Sequence, residues 1–151
     1  MDIISNLNER LRVIDRRDEV VEEHIKKIVE RSPIKLPDDY IDFLKEICCD
    51  NTAVSFEVDG EGELVIWSAR AAYECVTLDY GEPVYEDFVS CTWVIGDDLG
   101  ECIYFYGEGK EGFGIYKTDK GVMDIDDSEK IADSLTDLLV NGVGLDIIFG
   151  W

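Results

Sequence analysis

Trp93-Val94-Ile95-Gly96-Asp97-Asp98-Leu99-Gly100-Glu101-Cys102-Ile103-Tyr104-Phe105-Tyr106-Gly107 is the stretch on which the fold turns. Two runs rich in β-branched and aromatic side chains flank a short acidic segment holding two glycines, which is how strands joined by a tight connection read. Ser90–Ile95 and Glu101–Tyr106 are therefore expected to be neighbouring strands. On the C-terminal side, Phe113–Lys117 and Val122–Ile125 continue the pattern, divided by Gly107–Gly112 and by Thr118-Asp119-Lys120-Gly121. On the N-terminal side, Ala53–Val58 and Glu63–Trp67 alternate around Asp59-Gly60-Glu61-Gly62, a hairpin signal. Connections this short favour antiparallel pairing, so the centre of the chain predicts an antiparallel meander.

Helical spacing surrounds this sheet. In residues 1–35, Leu7, Leu11, Ile14, Val21, Ile25 and Ile28 recur every three or four positions, which predicts helix, with Asp18 either interrupting it or capping a second helix to about Arg31. Leu36-Pro37-Asp38-Asp39-Tyr40-Ile41-Asp42-Phe43-Leu44-Lys45-Glu46-Ile47 reads as a short amphipathic helix: proline suits its first turn, and two aspartates suit its positive end. Ser68 is placed as the N-cap of a helix to about Leu78, and Asp79–Asp87 as an acidic, aromatic loop. Asp126 and Glu129 resemble a capping box opening a last helix through Val140, stopped by Asn141-Gly142. Helices, then an antiparallel sheet, then a helix make an α+β layer fold, and the 151 residues suit a single domain over 1–151.

Charge narrows the function. Fourteen Lys+Arg against 35 Asp+Glu give a net charge of −21. Residues 1–35 hold eight of each sign, so the whole imbalance lies beyond them. Nucleic acid and anionic membrane are poor partners for such a field, because binding either requires cations on the protein. A basic protein is a good one, since an acidic face speeds its encounter. The competing reading is that acidity serves solubility. No apolar run reaches the length of a membrane span, and the first residues lack a signal-peptide pattern, so a cytoplasmic protein is expected. Cys48, Cys49, Cys75, Cys91 and Cys102 lack metal-ligand spacing and are expected to be free, buried thiols; with His24 the single histidine, neither a zinc site nor any other metal or cofactor is expected.

Motifs that imitate chemistry fail on context. Gly107-Glu108-Gly109-Lys110-Glu111-Gly112 fits a dinucleotide fingerprint, yet a strand follows it where a helix is required, and its two glutamates would face phosphate. It reads as a hairpin turn. Asp124-x-Asp126-x-Ser128 begins like a calcium loop but continues with Glu129 and Leu135 at the glycine and chelating-glutamate positions, so it reads as helix capping. His24 is the one candidate base and lies among Lys and Glu on a helix, where a solvated role fits best. No catalytic residues are assigned. Alternation puts Tyr104 and Tyr106 on one strand face and Ile103 and Phe105 on the other, so one set is expected to build the core and the other to offer an aromatic surface within an acidic rim.

Leu36-Pro37-Asp38-Asp39-Tyr40-Ile41-Asp42-Phe43-Leu44 resembles the L-P-x-D-Y-x-x-F-L helix of the SUKH superfamily, which includes the yeast cell-wall assembly regulators. Trp67-Ser68, the run Val94–Glu101 and the closing Leu135, Leu138 and Leu139 agree in order, so the resemblance covers roughly 18–142. Cys48-Cys49-Asp50-Asn51 departs from the glycine-containing turn common in the family. The resemblance implies a non-catalytic α+β domain, and in many bacterial members an immunity protein that neutralises a polymorphic, often nuclease, toxin. Combined with the charge, it predicts that this chain binds a basic protein toxin domain through three acidic loops: Asp79, Glu82, Glu86 and Asp87; Asp97, Asp98 and Glu101; Glu108 and Glu111. Tyr80, Tyr85 and Tyr106 are the expected anchors, while Leu36, Pro37, Tyr40, Phe43 and Leu44 are assigned to structure. The alternative is a regulatory or scaffold module.

Overall fold

Strand pairing in the computed structural model, which describes residues 3–15, 22–47, 53–58, 62–79 and 85–149, follows the order of the sequence. The strands are β1 (Leu11–Asp15), β2 (Ala53–Val58), β3 (Gly62–Trp67), β4 (Thr92–Asp97), β5 (Cys102–Gly109), β6 (Gly112–Asp119) and β7 (Glu129–Ala132). Each is antiparallel to the next. Among the described residues, six α-helices accompany them: α1 (Glu22–Arg31), α2 (Asp38–Ile47), α3 (Ala69–Glu74), α4 (Glu86–Val89), α5 (Leu135–Leu139) and α6 (Leu145–Phe149). The fold is α+β.

Local chemistry sets the helix starts. The Pro37 carbonyl accepts the first helical bond of α2 from the Ile41 amide at 3.2 Å, with Asp38 and Asp39 in the opening turn. Ser68 caps α3 by accepting from the Ala71 amide at 3.1 Å, and a π-helical turn over Cys75–Asp79 carries the chain on as far as the expected helix reached. In α2, Tyr40, Phe43 and Leu44 are fully buried.

Both faces of the central strands are covered. On one face, Trp93 and Tyr106 are cross-strand partners. The Trp93 indole donates to the Tyr40 hydroxyl at 3.2 Å, and the Tyr106 hydroxyl accepts from the Leu135 amide at 3.0 Å. On the other face, Phe105 pairs with Val94 and with Tyr116, Phe88 of α4 meets its ring edge-on at 4.8 Å, and the Ile125 side chain lies against Gly107. The expectation that one alternating set stays at the surface is therefore corrected: Tyr104, Phe105 and Tyr106 are all buried. The reason is that α4 and the segment after β6 roof the face that α2 and α5 leave open.

Three elements differ from expectation. Residues 11–15 form an edge strand, not helix, because backbone pairing with β2 outweighs a helical spacing that also fits period two: Leu11 is buried and Arg12 exposed. The proposed cap at Asp18 lies outside the described residues. Val122–Ile125 is a turn: Met123 takes φ 49°, and the Asp124 side chain accepts from the Asp126 amide at 2.9 Å. Asp126 thus opens no helix. Residues 129–132 pair with β6 instead, and α5 begins after Ser134, whose hydroxyl accepts from the Asp137 amide at 3.1 Å. The tail, left without a conformation by the sequence, supplies α6, whose Leu145 and Ile148 are buried.

Two bonds tie α2 to α5. Asp39 Oδ2 accepts from both the amide and the hydroxyl of Thr136, each at 2.9 Å. Burial first, then the Asp39 carboxylate nearby, hold the Tyr106 phenol well above its ordinary pKa, so it stays neutral and bonded to Leu135. Tyr106→Phe is expected to cost about 1–3 kcal/mol in urea unfolding, since it orphans a buried amide while changing the packing little. An unchanged midpoint would mean the Leu135 amide finds another partner.

Candidate protein-binding groove at one end of the sheet

The β5–β6 turn is built around Tyr116. Its hydroxyl donates to the Gly112 carbonyl at 2.6 Å and accepts from the Glu111 amide at 3.1 Å, while its ring lies where a side chain on Gly109 would stand, within 2.6 Å of an added Cβ. The glycine-rich fingerprint is thus a hairpin whose Gly109 makes room for an aromatic ring. The turn projects Glu108 and Phe113, which face each other in register. Phe113 stacks on Tyr106 with ring centroids 5.9 Å apart and planes at 15°, yet remains 41% exposed. A groove of about 810 Å³ opens beside them, walled by the Pro33–Asp38 segment and by Ser90 and Cys91.

Carboxylates gather at this end. Thr92 pairs with Gly107, so α4, which precedes β4, sets the exposed Glu86 and Asp87 near the tip carrying Glu108 and Glu111. Tyr85 is half-buried at the start of α4. Partial burial, then the charge of Asp126, then that of Asp87 raise the Cys91 thiol above its ordinary pKa. A raised pKa means less thiolate at a given pH. Alkylation of Cys91, followed by peptide mass spectrometry, is therefore expected to reach half-maximal rate above the usual thiol range, and Asp126→Asn to bring that midpoint down. A midpoint unmoved by Asp126→Asn would separate that carboxylate from the groove.

The three acidic loops are not brought together. Glu101 and Glu108 lie at opposite ends of β5, roughly 23 Å apart at the usual rise per strand residue. Asp97 and Asp98 are half-buried and shape the β4–β5 loop. Asp98 Oδ1 accepts from the amides of Gly100 at 2.8 Å and Cys102 at 3.2 Å. Asp97 accepts from Leu99 at 3.3 Å and meets Lys120 at 3.4 Å, which holds Leu99 at φ 62° with its side chain exposed. Substituting either aspartate alters loop structure along with charge; Glu101, exposed, is the cleaner probe of this end.

Tyr106 is corrected outright, since at 0% exposure it supports the site from below and touches no partner. Tyr80 and Glu82 lie outside the described residues, as does the side chain of Asp79. Phe113, Asp38 and the Pro33–Lys35 wall were not singled out by the sequence. Of the cysteines, Cys91 and Cys102 are free thiols, but Cys91 is exposed and Cys75 half-buried, against the expectation of burial; Cys48 and Cys49 lie outside the described residues. Among the described residues, no group of three or more His, Cys, Asp or Glu is placed to hold a metal ion, and no helix is long and apolar enough to cross a membrane.

Residues 19–141 match the model of the SMI1/KNR4 family (SUKH-1). The chain belongs to the SUKH-1 family. No individual curated protein matches it. SUKH-1 proteins are generally non-catalytic, acting in immunity or regulation. The matched span runs from before α1 to just past α5, so β1 and α6 stand outside it. These outer pieces are nevertheless joined to the SUKH-1 body. The Asn8 amide donates to the Leu139 carbonyl at 2.7 Å and Lys117 to the Ile147 carbonyl at 3.0 Å, while Arg10 pairs with Asp146 at 2.8 Å and so ties the two outer pieces to each other. Within the SUKH-1 span, the Leu36–Leu44 motif is structural: Leu36, Tyr40, Phe43 and Leu44 are core, and Asp39 is the bond to α5.

Proposed function

We propose that this SUKH-1 protein is an immunity protein that binds a basic toxin domain, of nuclease type, and blocks it by covering its cationic surface. What supports the reading is a groove lined by the carboxylates of Glu108 and Asp38, by apolar side chains and by the exposed ring of Phe113, with the exposed Glu86 and Asp87 just ahead in sequence of its Ser90 and Cys91 wall and the exposed Glu111 on the same hairpin as Glu108. Acidic rims steer a cationic partner and apolar centres hold it, the usual division of labour in protein interfaces. The protein acts without a cofactor and without catalysis, in the cytoplasm where toxin and inhibitor meet. An interface of about 1,600 Å² would suffice.

The test is association with a cationic nuclease-toxin domain, taken from any toxin gene found beside this chain's own, measured at roughly 50 mM and roughly 500 mM salt, where screening of exposed charges differs strongly. The expected result is stoichiometric inhibition with an association rate that falls as salt rises. Salt-insensitive capture of a neutral protein would instead make the chain a scaffold module whose acidity serves solubility.

A further inference from the structure

We propose that the groove beside the β5–β6 hairpin reads an arginine side chain of the protein partner, its guanidinium stacked on Phe113 and paired with Glu108. This rests on the proposed function for the source of the arginine, and on the structure for its seat. Register places Glu108 directly across from Phe113, and such cross-strand neighbours have Cβ atoms about 4.5–5.5 Å apart. A carboxylate therefore stands at the edge of an aromatic ring. One face of that ring is backed by Tyr106 at 5.9 Å, which fixes the ring and leaves its remaining surface to the groove. Asp38 supplies a second carboxylate on the opposite wall, while Pro33, Ile34 and Leu36 supply an apolar surface for the methylene stem. Lys35 also lines the groove, leaving one ammonium against two carboxylates.

Arginine suits this combination better than any other side chain. Its guanidinium is planar, weakly hydrated and forked, so it stacks on a ring and pairs with a carboxylate at once. A lysine ammonium is a compact, strongly hydrated charge that takes the ion pair but gains less from the ring. A purely apolar side chain would leave two carboxylates facing it. The groove therefore adds selection among basic residues to the general attraction of the acidic surface.

The experiment is a two-dimensional amide NMR titration of the full chain at low salt with two probes, the capped tripeptides Gly-Arg-Gly and Gly-Lys-Gly. Saturable shifts are expected at the amides of Lys35, Ser90, Cys91, Glu108 and Phe113, with the arginine probe binding roughly three- to tenfold tighter than the lysine probe. Phe113→Leu should bring the arginine probe down to the lysine level, and Glu108→Gln should weaken both. The proposal is overturned if the probes bind equally, if shifts spread evenly over the acidic surface or are absent, or if Phe113→Leu keeps the arginine preference. The wild-type comparison stands even where a variant fails to fold. Loss of the preference in a chain that still captures a cationic toxin overturns this inference alone, whereas selective arginine binding by a chain that no cationic toxin engages overturns the functional reading alone.

Discussion

Trp93→Ala is expected to cost roughly 3–5 kcal/mol, the usual range for emptying a fully buried aromatic site. For a chain of this size that lowers the melting temperature by about 6–20 °C. Trp93 is 0% exposed and sits where β4, β5 and α2 meet, opposite Tyr106 in register. Its removal leaves a cavity and also takes the donor from the Tyr40 hydroxyl, 3.2 Å away. Trp93→Phe should fall between wild type and alanine, since it fills much of the space but still removes the indole hydrogen bond. Thermal unfolding followed by circular dichroism checks the order of the three proteins. A loss under about 1 kcal/mol for alanine would show that the core collapses around the site, which the ring packing of Tyr40 and Tyr106, 5.7 Å apart, argues against.

How much of this was legible in the sequence depends on where each element draws its stability. Strands β2 to β6 were readable because their own side chains alternate and their turns carry glycine. The edge strands were not. Glu129-Lys130-Ile131-Ala132 has little β character, and pairs because β6 offers it a ladder, with Ile115 opposite Ala132. Residues 11–15 fit two periods at once, and only the presence of β2 decides between them. Ser134–Asp137 and Asp126–Glu129 carry equivalent capping patterns; the structure spends Asp124 and Asp126 on a turn, which no local rule reveals.

The site shows the same division. Residue types were readable, and so was the acidic excess, but grouping depends on distance along a strand and on which helix roofs which residue. Tyr106 and Phe113 share a sheet face, yet α2 and α5 cover the first and stop short of the second. The helix motif at Leu36–Leu44 supplied the family and, through its preceding loop, half of the groove wall. That loop was invisible as a site because nothing local shows that Phe113 folds against it.

Reversing the four groove-end carboxylates together, Glu86→Lys, Asp87→Lys, Glu108→Lys and Glu111→Lys, is expected to slow association with the cationic toxin domain by about tenfold or more at low salt, well within the range that steering fields command. The matched control reverses four exposed carboxylates elsewhere, at Glu9, Glu23, Glu74 and Glu101, and changes net charge by the same amount. If attraction came only from the total of −21, both variants would slow equally. A localised rim predicts otherwise, because exposed charges more than a Debye length from the docking face, about 8 Å at physiological salt, are largely screened. The control should therefore lose only about two- to threefold, and at roughly 500 mM salt, where screening leaves little for position to act on, the two should converge. Dissociation rates should change less than association rates for both sets, as is usual for rim charges. Stopped-flow association across a salt series reads all of these quantities, with circular dichroism confirming that each variant is folded. Equal slowing of both variants would remove the groove end as the docking face and leave overall charge as the sole source of attraction.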